Sequence, residues 1–346
     1  MRKVEVLVLV AGLLAAAAIV LSGCGGSASG SARSGGGGSG KVTLNVVGYS
    51  TLEQVYDKLI PAFQKTEVGK GVDFHTSYGA SGDQSRAVAA GQPADVVEFS
   101  LAPDMERLVQ SGTVSPDWDK NRYHGMVTDS VVVLVVRKGN PKHIHGWDDL
   151  VKPGVKVITP NPFSSGSARW NVMAAYGAQL KEGKSPAEAE AYLKKLFSHV
   201  PVEPASGREA LQTFTGGEGD VLISYENEAI LAQHEGEDVQ YIIPKQTILI
   251  QNPIAVTKDS KHKKQAEAFV RFLYSPEGQK IFAREGYRPV DKNVLARFKD
   301  EYPKPEGLFT INDLGLGGWD KVQKKFFDPN SGIFAKISRQ LGKPTQ

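Results

Sequence analysis

The chain of 346 residues carries 41 Lys and Arg against 38 Asp and Glu, a formal net charge of +3, and a single cysteine. That balance argues against nucleic acid as a partner, because phosphate neutralisation needs a concentrated basic surface. One cysteine excludes a disulfide framework, so the fold must rest on its core, and the length suffices for two domains.

Arg2 and Lys3 precede an almost unbroken apolar run over residues 6–21 that ends in small residues, the layout of a cleavable secretion signal. The run is short for a spanning helix, which needs about 20 apolar residues. Leu21, Ser22, Gly23 and Cys24 together resemble a bacterial lipobox. That resemblance implies a signal peptide over 1–23, cleavage before Cys24 and acylation of its thiol. Each buried methylene of an acyl chain contributes about 0.8 kcal/mol, so two or three chains would tether the protein to the cell membrane. Residues 24–40 are almost wholly Gly, Ser and Ala, with Arg33 the one charge, and are expected to form a flexible tether.

From Lys41 onward, apolar β-rich runs alternate with helical patterns. Residues 42–47 read as a strand, and Leu52, Val55, Tyr56, Leu59, Ile60 and Phe63 follow at helical spacing. Further strands are expected over 72–77, 95–99, 155–159, 221–224 and 239–243, most followed by a loop and a helix. The rhythm predicts an α/β protein whose parallel sheets are covered on both faces. Two runs break it: SVVVLVVR over 130–137 and TILIQNPIAVT over 247–257, both long apolar strands without a nearby crossover helix. They read as strands that leave one lobe and return to it. The expected division is one lobe from 41–130 and 255–335, and a second from 131–254 with these hinge strands at its ends. A ligand is expected in the cleft between them.

Four loops share one design, a strand ending in Gly, Ser or Thr just before a helix begins: GYST (48–51), YGASGDQ (78–84), NPFSSGSARW (161–170) and ASGRE (205–209). Helix N-termini carry unpaired amide hydrogens and about half a positive charge, so loops of this kind can hold an anion. Serine also caps helices with no ligand involved, and the spacings of Ser50 to Glu53, Thr51 to Gln54 and Ser81 to Gln84 fit capping boxes.

TPNPFSSGSARWN (159–171) and GDVLISYENEA (219–229) closely resemble the sulfate/thiosulfate-binding proteins of bacterial ABC importers. The likeness extends in order to RKGNP (137–141), YSPEGQ (274–279) and YRP (287–289). It implies a type II periplasmic-binding-protein fold, with mixed sheets flanked by helices, two crossing hinge strands and two lobes that close on the anion. By position its donors would be the Ser50 and Ser81 loops, Ser165 with Gly166 and Ser167, Gly207, and Tyr225. The implied role is capture of extracytoplasmic sulfate or thiosulfate by a monomeric lipoprotein that delivers it to ABC permease subunits, with no cofactor, metal or catalysis.

Three positions depart from the family pattern: Tyr225 where tryptophan is frequent, Ser50 where aspartate is usual, and Asp83 where lysine is familiar. Asp83 would complement the helix dipole in the first turn behind Ser81; turned inward, it would accept a proton and favour phosphate over sulfate. Arg86, Arg169 and Arg208 are expected to pair on the surface of their helices, the alternative being contact with the anion. Another tetrahedral oxyanion, phosphate or molybdate, is the competing ligand. A lipid-anchored serine hydrolase is disfavoured, because neither Ser81 nor Ser165 stands in a Gly-x-Ser-x-Gly elbow or before a lysine in Ser-x-x-Lys. His143, His145 and Asp148 read as a polar turn and match no metal-ligand spacing.

Overall fold

The apolar alternation that opens at Val42 becomes strand β1, Val42–Tyr49, and the computed structural model describes the chain from there to residue 345. The leader, Cys24 and the Gly/Ser tether lie outside the described residues. A 3-10 turn, Ser50–Leu52, leads into α1, Glu53–Gln64, which buries Val55, Tyr56, Leu59 and Phe63 at the expected spacing. Two more β-α units follow: β2 (Val72–Gly79) with α2 (Ser81–Ala89), and β3 (Val96–Glu98) with α3 (Ala102–Gln110). The long strand β4, Met126–Arg137, gives way to β5 (Val157–Ile158), α4 (Gly166–Lys181), α5 (Pro186–Ser198) and α6 (Gly207–Thr215). Then come β6 (Val221–Tyr225), α7 (Glu226–His234), β7 (Val239–Ile242) and a second long strand, β8, Gln246–Val256. The rest comprises α8 (Lys263–Leu273), α9 (Pro276–Arg284), β9 (Arg288–Pro289), α10 (Lys292–Leu295), β10 (Gly307–Phe309), α11 (Trp319–Phe326) and α12 (Ile333–Gln340). Among the described residues no helix is long and apolar enough to cross a membrane.

The strands join one curled, mixed sheet in the order β2-β1-β3-β8-β4-β6-β5, with β10 added to β8 and with β7 and β9 added to β4. The β-α rhythm predicts parallel pairing, which holds for β1 with β2 and β3, for β5 with β6 and for β10 with β8. At the centre the two long strands make the sheet mixed, as the family resemblance implies: β8 is antiparallel to β3 and β4, and β4 to β6. Because β4 and β8 run in opposite senses, a strand parallel to one must oppose the other. In β4, Val132, Leu134 and Val136 face one core and Val131, Val133 and Val135 another, the period of two of a strand buried on both faces.

Register positions the site. β3 ends at Glu98 opposite Ile254, and β6 ends at Tyr225 opposite Val132. Between these registers β4 and β8 pair with each other, from Met126 with Pro253 to Val131 with Leu249. The C-terminal ends of β3 and β6 therefore face each other across that stretch, and strand ends of this kind are where α/β sheets bind ligands.

Residues beyond Gly307, expected with the first lobe, pack against elements of the middle region: β10 pairs with Gln246 to Ile248, Phe326 meets Tyr176 edge-on at 4.8 Å and Phe334 meets Phe197 at 4.6 Å. Apolar surface on α4 and α5 attracts these rings, and Gly177 makes room, since a Cβ there would stand 2.3 Å from Phe309.

Candidate anion-binding site

Loops from both ends of the sheet interlock at these strand ends. Ser50 opens the 3-10 turn after β1, and its side chain caps nothing in its own segment; its Oγ accepts the Arg208 amide at 3.3 Å instead. Gly207 lies so close to the loop before α4 and to the turn after β1 that a Cβ on it would stand 2.9 Å from Ser167 Oγ and 3.4 Å from Thr51 Cγ2. Ser206 caps α6 by accepting the Glu209 amide at 3.2 Å, and Ser165 caps α4 at 3.5 Å from the Ala168 amide. The hydroxyls of Ser165 and Ser167 are 2.8 Å apart. The expected capping box at Ser81 is also absent: Ala80 is the N-cap of α2 and makes no side-chain bond.

Ser81 Oγ donates to the buried Asp104 carboxylate at 2.7 Å and accepts the Ser100 amide at 3.0 Å. Its hydroxyl hydrogen is thus committed, and what Ser81 can offer an anion is its backbone amide, unpaired within the helix as the first amides of any helix are. Tyr225, the N-cap of α7, places its hydroxyl 2.5 Å from Ser100 Oγ, with both residues 1% exposed. Ser50, Ser81, Ser165, Gly166, Ser167, Gly207 and Tyr225 all belong to this one set of interlocked strand-to-helix loops.

Residues 44–288 match the family of bacterial extracellular solute-binding proteins. The chain belongs to that family. A sulfate-binding protein of Synechococcus elongatus is 42% identical over 96% of this chain and 95% of its own length. A thiosulfate-binding protein of Pseudomonas aeruginosa is 37% identical, covering 84% of this chain and 90% of its own. The solved sulfate-binding protein SubI of Mycobacterium tuberculosis is 49% identical, superposes with a TM-score of 0.81, and covers 83% of this chain and 100% of its own.

In this solute-binding protein the arginines around the loops are engaged elsewhere. Arg86 pairs with Asp83 on the surface, the two side chains 48% and 54% exposed, as expected for that arginine. For Arg208 and Arg169 the surface expectation is corrected. Arg208 holds Glu228 through Nε at 3.1 Å and a terminal nitrogen at 2.8 Å, in a pair that is nearly buried. Arg169, 6% exposed, donates through Nε to the Pro162 carbonyl at 2.7 Å and also to Gln323 at 2.8 Å; burial lowers its guanidinium to about 10. Chain packing decides both, because α4 is buried along nearly its whole length and the Arg208 side chain reaches inward to α7.

Burial pushes the hydroxyls of Tyr49, Tyr225 and Tyr287 upward, so each keeps the hydrogen it could donate. Glu98, directly before Phe99 and Ser100, is raised by burial to about 8 and accepts the Tyr56 hydroxyl.

Sequence reasoning missed Ser100, Asp104 and Asn252. Ser100 had a signal: it stands between β3 and a helix with proline in its first turn, a fifth loop of the same design. Asn252 had none, lying in an apolar strand, yet its Nδ2 donates to the Ser100 carbonyl at 3.0 Å.

Proposed function

We propose that the protein captures sulfate or thiosulfate outside the cytoplasm and hands it to an ABC permease. The observation that carries this reading is the convergence of the α2, α4 and α6 N-termini with the Tyr225 hydroxyl, where Arg86 and Arg208 are already matched by carboxylates. Such a site spreads a dianion over amide and hydroxyl donors without a counter-ion. The high identity to sulfate- and thiosulfate-binding relatives supports the same ligand class.

The donors are the backbone amides of the Ser50 and Ser81 loops, Gly166, Ser167 and Gly207, with the Ser165 and Tyr225 hydroxyls. Sulfate carries no proton at neutral pH and only accepts hydrogen bonds, whereas phosphate keeps one and needs an acceptor facing it. Asp83, in the first turn behind Ser81, is exposed and paired with Arg86, and Asp104 already accepts the Ser81 hydroxyl; both favour sulfate over phosphate. Closure would bring the two lobes together about β4 and β8, because loops from both sides share the ligand. Acylated Cys24 and the tether over 24–40 would keep the monomer at the membrane. The protein is a carrier of its ligand, with no chemical step assigned to any of these residues.

Calorimetric titration of the full chain at neutral pH with sulfate, thiosulfate, phosphate and molybdate tests this. The expected result is tight binding of sulfate or thiosulfate and little response to phosphate. Binding of phosphate or molybdate alone would overturn it.

A further inference from the structure

Ser100 touches three of the loops and has no role in the oxyanion reading. Its backbone is fixed on both sides: the amide donates to Ser81 Oγ at 3.0 Å, and the carbonyl accepts Trp170 Nε1 at 2.8 Å and Asn252 Nδ2 at 3.0 Å. Only the hydroxyl remains, 2.5 Å from Tyr225 Oη. One of the two oxygens must donate to the other. A phenol is the stronger acid and an alcohol the better acceptor, which makes Tyr225 the donor.

Asn252 enforces the same direction. Thr128 Oγ1 donates to Asn252 Oδ1 at 3.2 Å, which turns the amide nitrogen toward Ser100 and Tyr225. The Asn252 nitrogen donates to the Ser100 carbonyl at 3.0 Å, and the amide acts on the Tyr225 hydroxyl as a donor would, opposing the rise that burial causes, which leaves the phenol's own hydrogen for Ser100 Oγ. The Ser100 hydrogen is then left to point elsewhere, in a residue 1% exposed where an unmatched hydrogen is costly. A Cβ on Gly166 would stand 2.7 Å from Ser100 Oγ, so the hydroxyl abuts the first turn of α4.

We propose that Ser100 Oγ is a direct hydroxyl donor to the bound tetrahedral oxyanion and that Tyr225 is a positioning residue acting through it. This assignment rests on the sulfate or thiosulfate reading above. It moves the donor role from the phenol to the serine and makes the Ser100 and Tyr225 hydroxyls a single oriented unit. A phenol paired in this way fixes which hydrogen faces the anion, where two free hydroxyls could each turn.

The test is calorimetric titration of the full chain with sulfate and thiosulfate, comparing the wild type with Ser100→Ala, Tyr225→Phe and the double variant. A hydrogen bond to a charged group sets the scale, so Ser100→Ala is expected to weaken binding about 10- to 100-fold and Tyr225→Phe by about 3- to 10-fold. The double variant should lose no more than Ser100→Ala alone, which a merely structural role for Tyr225 would not produce. Ser100→Cys, with a weak S–H donor, should lose affinity in the same direction and serves if the alanine variant fails to fold. A larger loss from Tyr225→Phe, additive losses, or unchanged binding by folded Ser100→Ala or Ser100→Cys would each overturn the assignment while leaving the ligand reading in place. If the wild type binds neither anion, the ligand reading fails and this assignment fails with it.

Discussion

The Gly82 amide donates to the Ser164 carbonyl oxygen over 3.0 Å, which ties the first turn of α2 to the loop that leads into α4. The approach is possible because Gly82 has no side chain; a Cβ would stand 2.8 Å from that oxygen. Gly166 and Gly207 serve the same end, so the interlocking of the loops rests on three missing side chains.

Gly166→Ala should therefore force the loops apart. Its Cβ would lie 2.6 Å from Ser100 Cβ and 2.8 Å from Leu101 Cδ2, and both neighbours are held in the core. Overpacking of this kind costs about 1–3 kcal/mol, and at about 1.4 kcal/mol per tenfold, sulfate affinity should fall by roughly 5- to 100-fold. Gly146→Ala is the control: nothing lies within 4 Å of its Cβ and its φ of −173° is extended backbone, so titration should show no change.

The arginines separate by burial. Arg208→Met leaves Glu228 buried without its cation, and such losses run to about 3–5 kcal/mol; urea unfolding should show a drop of that size, largely recovered by adding Glu228→Gln. Arg86→Ala breaks a pair between half-exposed side chains, so its effect should stay below about 1 kcal/mol, and sulfate affinity should change by less than about threefold. A large loss of affinity in Arg86→Ala with an unchanged melting temperature would place that guanidinium on the anion.

Glu98 gives a pH signature. Burial lifts its carboxyl from the ordinary 4.5 to about 8 in the folded protein. Below about pH 4.5 both states hold the proton and no penalty arises. As pH rises from there to about 8 the unfolded chain releases it first, so stability is lost progressively over that window. Glu98→Gln removes this dependence and can still bond the Tyr56 hydroxyl. Thermal melts should show the variant level with wild type near pH 4.5 and gaining on it above, by on the order of 1 kcal/mol per pH unit up to about pH 8.

By itself the sequence determined the elements and the loops that join them. Val55, Tyr56, Leu59 and Phe63 recur at helical spacing and bury as one face of α1, and the long, largely apolar runs around Val133 and Ile250 became the two long central strands, because periodicity is a local property of the chain. The Ser and Gly loops were legible for the same reason. Tertiary structure decided what those loops do. Ser50 and Ser81 share the spacing of helix caps, yet one accepts the Arg208 amide and the other donates to Asp104, partners far along the chain that no local pattern could supply. Arg169 and Arg208 looked like surface residues until the packing of α4 and α6 buried them. The meeting of Ser100 with Tyr225 follows from strand register, since β3 and β6 end on facing sides of the β4 and β8 crossing, and register depends on pairing between segments distant in sequence.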